Sequence, residues 1–351
     1  MTMRWLASPL GRFAVAALVL LATGSPVTAQ TPGLRRSPGL PRRPDGLLAA
    51  AIQAQNIGAA IVAGRIVISA ARGRSVPWQR DSGEIKEQLS LPIPARGGTI
   101  KYDRSTPNEL ISMEFFGSVR VHLERTPKGD AAVVPVEFEQ SSQGTMSLSV
   151  GLNGQRQIYT GASLWHLLLA EPDVCRQHLL PLLALINDEW DLQTVSEQIE
   201  QTLIEEAGSQ APPDRRRWVA LVEQLGSDRF TQREGADREL RALGPLVSSY
   251  LQTLDLEALD AEQRFRIRRI VLALTDSHQP DTPDQVVLWL AGDPQVWLAL
   301  LDRDTEATRR IAAKQLTHLL GRPIAFDPGA DVQTRETQFK RLQADLRAAG
   351  G

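Results

Sequence analysis

One cysteine, Cys175, stands among 351 residues. That excludes an internal disulfide, a CxxC redox pair and a metal site built on two thiolates. Lysine is nearly as scarce, with five among 39 basic residues. The arginine bias is uniform and is assigned to genome composition, not to function. Neither sign of charge dominates, since 39 basic residues stand against 41 acidic ones. A basic stripe for nucleic acid is therefore not expected. After the first 29 residues no apolar run approaches the roughly 20 residues that a spanning helix needs. Glycine-rich phosphate loops, HExxH and GxSxG are also missing, and no cofactor or metal is expected.

What is present begins with an address. Arg4 and Arg12 form a positive start, "FAVAALVLLA" (13–22) is a short apolar core, and Val27-Thr28-Ala29 offers a small-x-small cleavage site. That order is the order of a secretory signal peptide. No lipobox cysteine follows. Residues 1–29 thus predict an exported bacterial protein, periplasmic or secreted, with no membrane insertion once the leader is removed. Residues 30–46, "QTPGLRRSPGLPRRPDG", read as a Pro/Arg-rich linker.

Residues 47–161 predict a β-rich domain. Val119, Val121 and Leu123 alternate with Ser118, Arg120, His122 and Glu124. Val134, Val136 and Phe138 alternate with Pro135, Glu137 and Glu139, and a third alternating run covers 146–152. A period of two with one polar face marks strands wet on one side, and His122 is expected to be exposed there. Asn153-Gly154 signals a tight hairpin. About seven strands are expected, as an antiparallel β-sandwich or open barrel.

From residue 162 the period becomes 3.6. Residues 162–208 predict connecting helices and 209–351 a helical region, so the fold class is α+β. Asp260 with Gln263 has the form of a capping box. Thr282-Pro283 and Asp293-Pro294 place a cap before a first-turn proline. Gly208, Gly226, Gly244, Gly292 and Gly321 mark helix ends.

"LGSDRFTQREGADRELRALG" (225–244) and "LDRDTEATRRIAAKQLTHLLG" (301–321) align at a shift of 76. Asp228 then meets Asp304, Arg233 meets Arg309, and Leu240 meets Leu316. Ala236 and Leu243 meet Ala312 and Leu319 in the same apolar stripe. The pattern resembles HEAT-like helical repeats over residues 212–321, with an aspartate in the turn and a basic residue early in the second helix. The resemblance implies that the aspartate caps the second helix, that the arginine reaches the next unit, and that the array is an interaction scaffold. A plain helical bundle is the alternative.

The remaining chemistry lies in "SLWHLLLAEPDVCRQHLLPLLALI" (163–186). Cys175 and His178 are three apart and would share a helical face, a geometry open to a thiol nucleophile and its base; a metal site would also need His166. Against this, Cys175 lies in a stripe with Leu179, Leu182, Leu183 and Ile186, where a cysteine behaves as a small hydrophobe. Pro181 should kink or split the helix. The sequence thus predicts a non-enzymatic binding or scaffold protein with a protein partner, an envelope glycan being the second choice. A thiol-dependent hydrolase using Cys175 and His178, or a self-associating envelope component, are the alternatives.

Overall fold

The computed structural model describes residues 46–350 except 55–56, 71–77, 92–97, 117–119, 142–143, 153, 210–214, 245–246, 248–249, 252–253 and 276–278. The expected signal peptide and nearly all of the linker lie outside the described residues.

The fold is α+β, an antiparallel sheet region followed by helices. A short helix α1 (Leu47–Gln53) precedes the hairpin β1 (Ile57–Val62) and β2 (Arg65–Ala70). Eight strands follow: β3 (Trp78–Asp81), β4 (Lys86–Ser90), β5 (Ile100–Ser105), β6 (Glu109–Phe116), β7 (Arg120–Pro127), β8 (Val136–Gln140), β9 (Met146–Val150) and β10 (Gln157–Gly161). They form one sheet in strict chain order. Each pairs antiparallel with the next, so the sheet is an open meander whose edge strands β3 and β10 remain apart. Ten strands are described where alternation alone indicated about seven. The unmarked ones include β5, "IKYDRS", whose charges hide the buried Ile100 and Tyr102.

The alternation sets the two faces. Leu89, Tyr102, Met113, Phe115, Leu123, Phe138 and Leu148 are buried on the inner face, and the other face carries polar side chains. The hairpin joins the sheet through a side chain. Buried Gln140 on β8 accepts from Ile66 N at 2.9 Å and donates to Ile66 O at 2.8 Å, standing in for a strand neighbour. The expected hairpin at Asn153-Gly154 does connect β9 to β10, but across residues 151–156, since Val150 pairs with Gln157. Gly151 and Gly154 both take positive φ there, and Asn153 lies outside the described residues.

The helices are α2 (Leu164–Ala170), α3 (Pro172–Val174), a π-helical turn (Cys175–Leu179), α4 (Leu180–Ile186) and α5 (Leu192–Ser209). Then come α6 (Arg215–Leu225), α7 (Phe230–Ala242), α8 (Ala261–Thr275), α9 (Pro283–Leu290), α10 (Pro294–Leu300), α11 (Glu306–Leu320) and α12 (Val332–Gly350). Capping follows the sequence at three starts. Asp260 and Gln263 exchange hydrogen bonds at 2.7 and 3.1 Å. Thr282 caps α9 and Asp293 caps α10, each ahead of its proline. Gly244 and Gly321 take the left-handed conformation, whereas Gly208 lies inside α5 instead of after it.

The packing divides the helices in a way that periodicity does not reveal. The inner face of the sheet, the hairpin, α1 to α5 and α9 to α12 share one core. Helices α6, α7 and α8 share another, built on Trp218, Leu225, Leu240 and Ile270. The aligned copies 225–244 and 301–321 therefore belong to different cores. No described helix is long and apolar enough to cross a membrane.

Candidate functional site

The structure places Cys175 and His178 in the π-helical turn. A π turn widens the helix, and its position just before Pro181, which has no N–H to offer the preceding turn, accounts for the split. Cys175 is fully buried, and its thiol donates to Leu167 O at 3.5 Å. Burial, with a smaller push from Glu171, raises its pKa to about 12, so it is held as the thiol. His178 instead meets Arg125 Nη2 through Nδ1 at 3.3 Å. Burial, then the Arg125 charge, lowers its pKa. The contacts described thus join Cys175 to Leu167 and His178 to Arg125. His166 lies in neither environment and makes no metal set with them.

His166 instead belongs to a chain that sequence reading missed. Ser163 Oγ lies 2.8 Å from His166 Nδ1, and His166 Nε2 lies 3.1 Å from Asp293 Oδ2. A serine, a histidine and an aspartate in series have the composition of a hydrolase triad. Two of the three also cap helices. Ser163 Oγ caps α2 by accepting from His166 N, and Asp293 caps α10. All three are buried. Two surface cavities, of about 300 and 170 Å³, are lined by Gln79, Asp81, Lys86 and Asp103 with their neighbours and by Leu183, Asn187, Trp190 and Gln193 with theirs. Neither touches the chain. The imidazole ties two helix N-termini together.

A second, part-buried tie fixes the β1–β2 hairpin. Its turn is Ala63-Gly64, with φ of 49° and 69°. Asp281 accepts from Ala63 N and Gly64 N at 2.6 Å each and from Trp165 Nε1 at 2.7 Å. A Cβ on Gly64 would stand 2.5 Å from Ser163 Cβ, so glycine is required by contact as well as by φ. Burial raises the Asp281 pKa, and its N–H partners draw it back.

The repeat positions have a clear local geometry. Arg233 Nη1 donates to Ser227 O at 2.6 Å, and Arg309 Nη1 donates to Arg303 O at 2.7 Å. Ser227 and Arg303 are themselves 76 apart, so the two contacts are equivalent. Arg309 adds Asp304 O at 2.6 Å and Pro328 O at 2.9 Å. Arg233 reaches Glu262 of the neighbouring α8 at 3.6 Å. Leu240 and Leu316 are fully buried. The aspartates do not cap. Thr305 caps α11, and α7 begins without a side-chain cap at Arg229. The arginine instead holds the turn by donating to its carbonyls.

The α6–α8 unit also carries exposed apolar groups. Phe265 and Leu272, seven apart on α8, are 56% and 63% exposed, and Phe230 at the start of α7 is 63% exposed. Arg269 lies over the Phe265 ring and Arg233 over Phe230. Comparison with known proteins adds no relative: no family model, no curated protein and no solved structure matches this chain.

Proposed function

We propose that the chain is an exported, non-enzymatic binding or scaffold protein that acts through a helical-repeat surface. The observation that carries this reading is the outer face of α8. Phe265 and Leu272 are largely exposed there beside exposed Arg268 and Arg269. Aromatic and arginine side chains are the types that concentrate binding energy at protein interfaces. An apolar and basic face suits an acidic, amphipathic protein segment. The α6–α8 unit has its own core, so its outer face is free to serve a partner while the sheet-centred core stays intact. The equivalent arginine-to-turn contacts of α7 and α11 support reading the helix pairs α6/α7 and α10/α11 as repeat units.

The test is crosslinking capture from the native envelope with the full chain and with Phe265→Ala/Leu272→Ala. The reading expects a discrete protein crosslinked to the wild type and lost with the double variant. Equal capture by both, capture of glycan alone, or a higher oligomer by light scattering that the double variant retains, would each contradict it.

A further inference from the structure

The open face of the eight-stranded sheet holds one group whose geometry is not that of a solvated strand surface. Strand register sets His122 of β7 opposite Glu139 of β8, and Glu124 opposite Glu137. On its other side His122 faces Glu114 of β6. His122 Nδ1 lies 3.4 Å from Glu139 Oε1 and 3.9 Å from Glu137 Oε1. Its Nε2 lies 4.0 Å from Glu124 Oε2. The expected exposed histidine is therefore mostly covered, with 21% of its side chain accessible. Nδ1 itself is buried and makes no hydrogen bond.

A ring nitrogen turned toward two carboxylates without a hydrogen bond calls for positive charge between them. Glu124 directly opposite Glu137 adds a like-charge pair that costs stability when nothing intervenes. Arginines hold the carboxylates in place. Arg120 Nη2 donates to Glu139 Oε1 at 2.9 Å, and Arg156 pairs with Glu137 Oε2. Lys101 is taken up by Glu114 at 2.5 Å. None of these cations gives Nδ1 a hydrogen bond.

We propose that His122, Glu137 and Glu139 form a site for a divalent transition-metal ion of zinc type. Their ligand atoms all lie within 4.8 Å of one another. A tetrahedral zinc with nitrogen and oxygen ligands at about 2.0–2.2 Å spaces those ligands about 3.3–3.6 Å apart. The His122–Glu139 edge already has that length, and the His122–Glu137 edge closes with a shift of a few tenths of an ångström. One imidazole with two carboxylates favours zinc over magnesium or calcium, which take oxygen ligands. The ligands sit on adjacent paired strands, so the backbone fixes their spacing, and the arginines orient the carboxylates from outside the metal shell. Three protein ligands leave a position open to water or to a partner's side chain. The site lies on the sheet and does not depend on the helical surface proposed above.

Calorimetric titration of the full chain with zinc chloride, and separately with magnesium chloride, tests the assignment. One equivalent of zinc is expected, with magnesium roughly tenfold weaker or more. His122→Ala should lose that equivalent and His318→Ala should keep it. Glu137→Gln provides a second ligand variant, and thermal melts by circular dichroism identify which variants are folded. In nitrogen-edited imidazole spectra of the wild type, zinc should shift His122 Nδ1 and leave His318 in place. Absence of zinc binding, binding that survives both ligand variants in folded form, an unmoved His122 resonance, or equal affinity for magnesium would each overturn the proposal.

Discussion

Among the described residues, forty-five buried apolar residues surround the sheet and its helices, against eleven in the segment 215–275 that holds α6 to α8. The larger core is tied by buried and part-buried polar side chains that join distant segments. Gln140 joins β8 to the hairpin, Asp281 holds its turn, and His166 links two helix starts. Arg303 binds Glu200 through three hydrogen bonds and also donates to Leu169 O at 2.6 Å. The smaller core relies on arginine pairs on α7 and α8, in which Arg266 and Asp237 are buried and their partners reach solvent. Arg266 meets Glu262 at 2.6 Å and Glu234 at 2.8 Å, and Arg241 meets Asp237 at 2.5 Å. Ion pairs open to solvent on one side add about 1 kcal/mol or less each, and a small core is marginal by its size. The two regions differ most in the size of their apolar cores, and the smaller one is expected to open first.

The largest effect should come from a matched pair. Leu316→Ala and Leu240→Ala remove the same side chain at equivalent positions, each at a cost of about 2–5 kcal/mol. Hydrogen exchange should show Leu316→Ala weakening protection across the sheet and its helices. Leu240→Ala should open residues 215–275 and leave β5 to β9 protected. Uniform loss of protection in both variants would erase the distinction between the cores.

Asp281→Asn should cost about 2–3 kcal/mol in urea melts at neutral pH, since buried N–H groups left unmet cost about 1–3 kcal/mol each. Its pH dependence has a definite sign. Burial raises the folded pKa of Asp281 above its ordinary 3.8. The folded state therefore holds that proton more tightly, and the resulting stability is complete below the unfolded value and lost as pH rises through the folded one. The wild type should gain on the variant as pH falls through the raised pKa toward 3.8, and the gap should be flat above it. A gap that narrows on acidification would show that the three N–H donors outweigh burial.

Arg309→Ala should cost about 2 kcal/mol, because hydrogen bonds to a charged group contribute about 1.5–3 kcal/mol and its guanidinium is buried among three carbonyls. Arg233→Ala should cost about 1 kcal/mol, since its side chain is 23% exposed and its charge partly screened. Thermal melts rank the two, and a reversed order would mean that the turn contact contributes less than the pairing with α8.

Legibility tracked the range of the interaction. The strands at 120–127, 136–140 and 146–150 could be read because one wet face imposes a period of two. The caps at Asp260, Thr282 and Asp293 could be read because a cap acts within three residues. The inward turn of Cys175 followed from its leucine stripe. What escaped depends on distant partners. The Ala63-Gly64 turn carries no Asn-Gly signal, since its conformation is held by Asp281, 218 residues away. The Ser163–His166–Asp293 chain spans 127 residues between its last two members. His122 appeared solvated because its neighbours across the sheet follow from strand register, which alternation within one strand does not specify. The 76-residue spacing was visible, but the roles expected within it were not the ones observed. The arginines organise the turns, while the aspartates stay at the surface.

The smallest effect on stability should accompany the largest effect on function. Phe265→Ala/Leu272→Ala alters exposed side chains and should move stability by no more than about 0.5 kcal/mol per site. The decisive measurement is crosslinking capture by this variant beside the wild type, with equal melting curves. The account predicts that the wild type is crosslinked to a discrete protein through α8 and that the double variant is not. Undiminished capture by a folded double variant would contradict it.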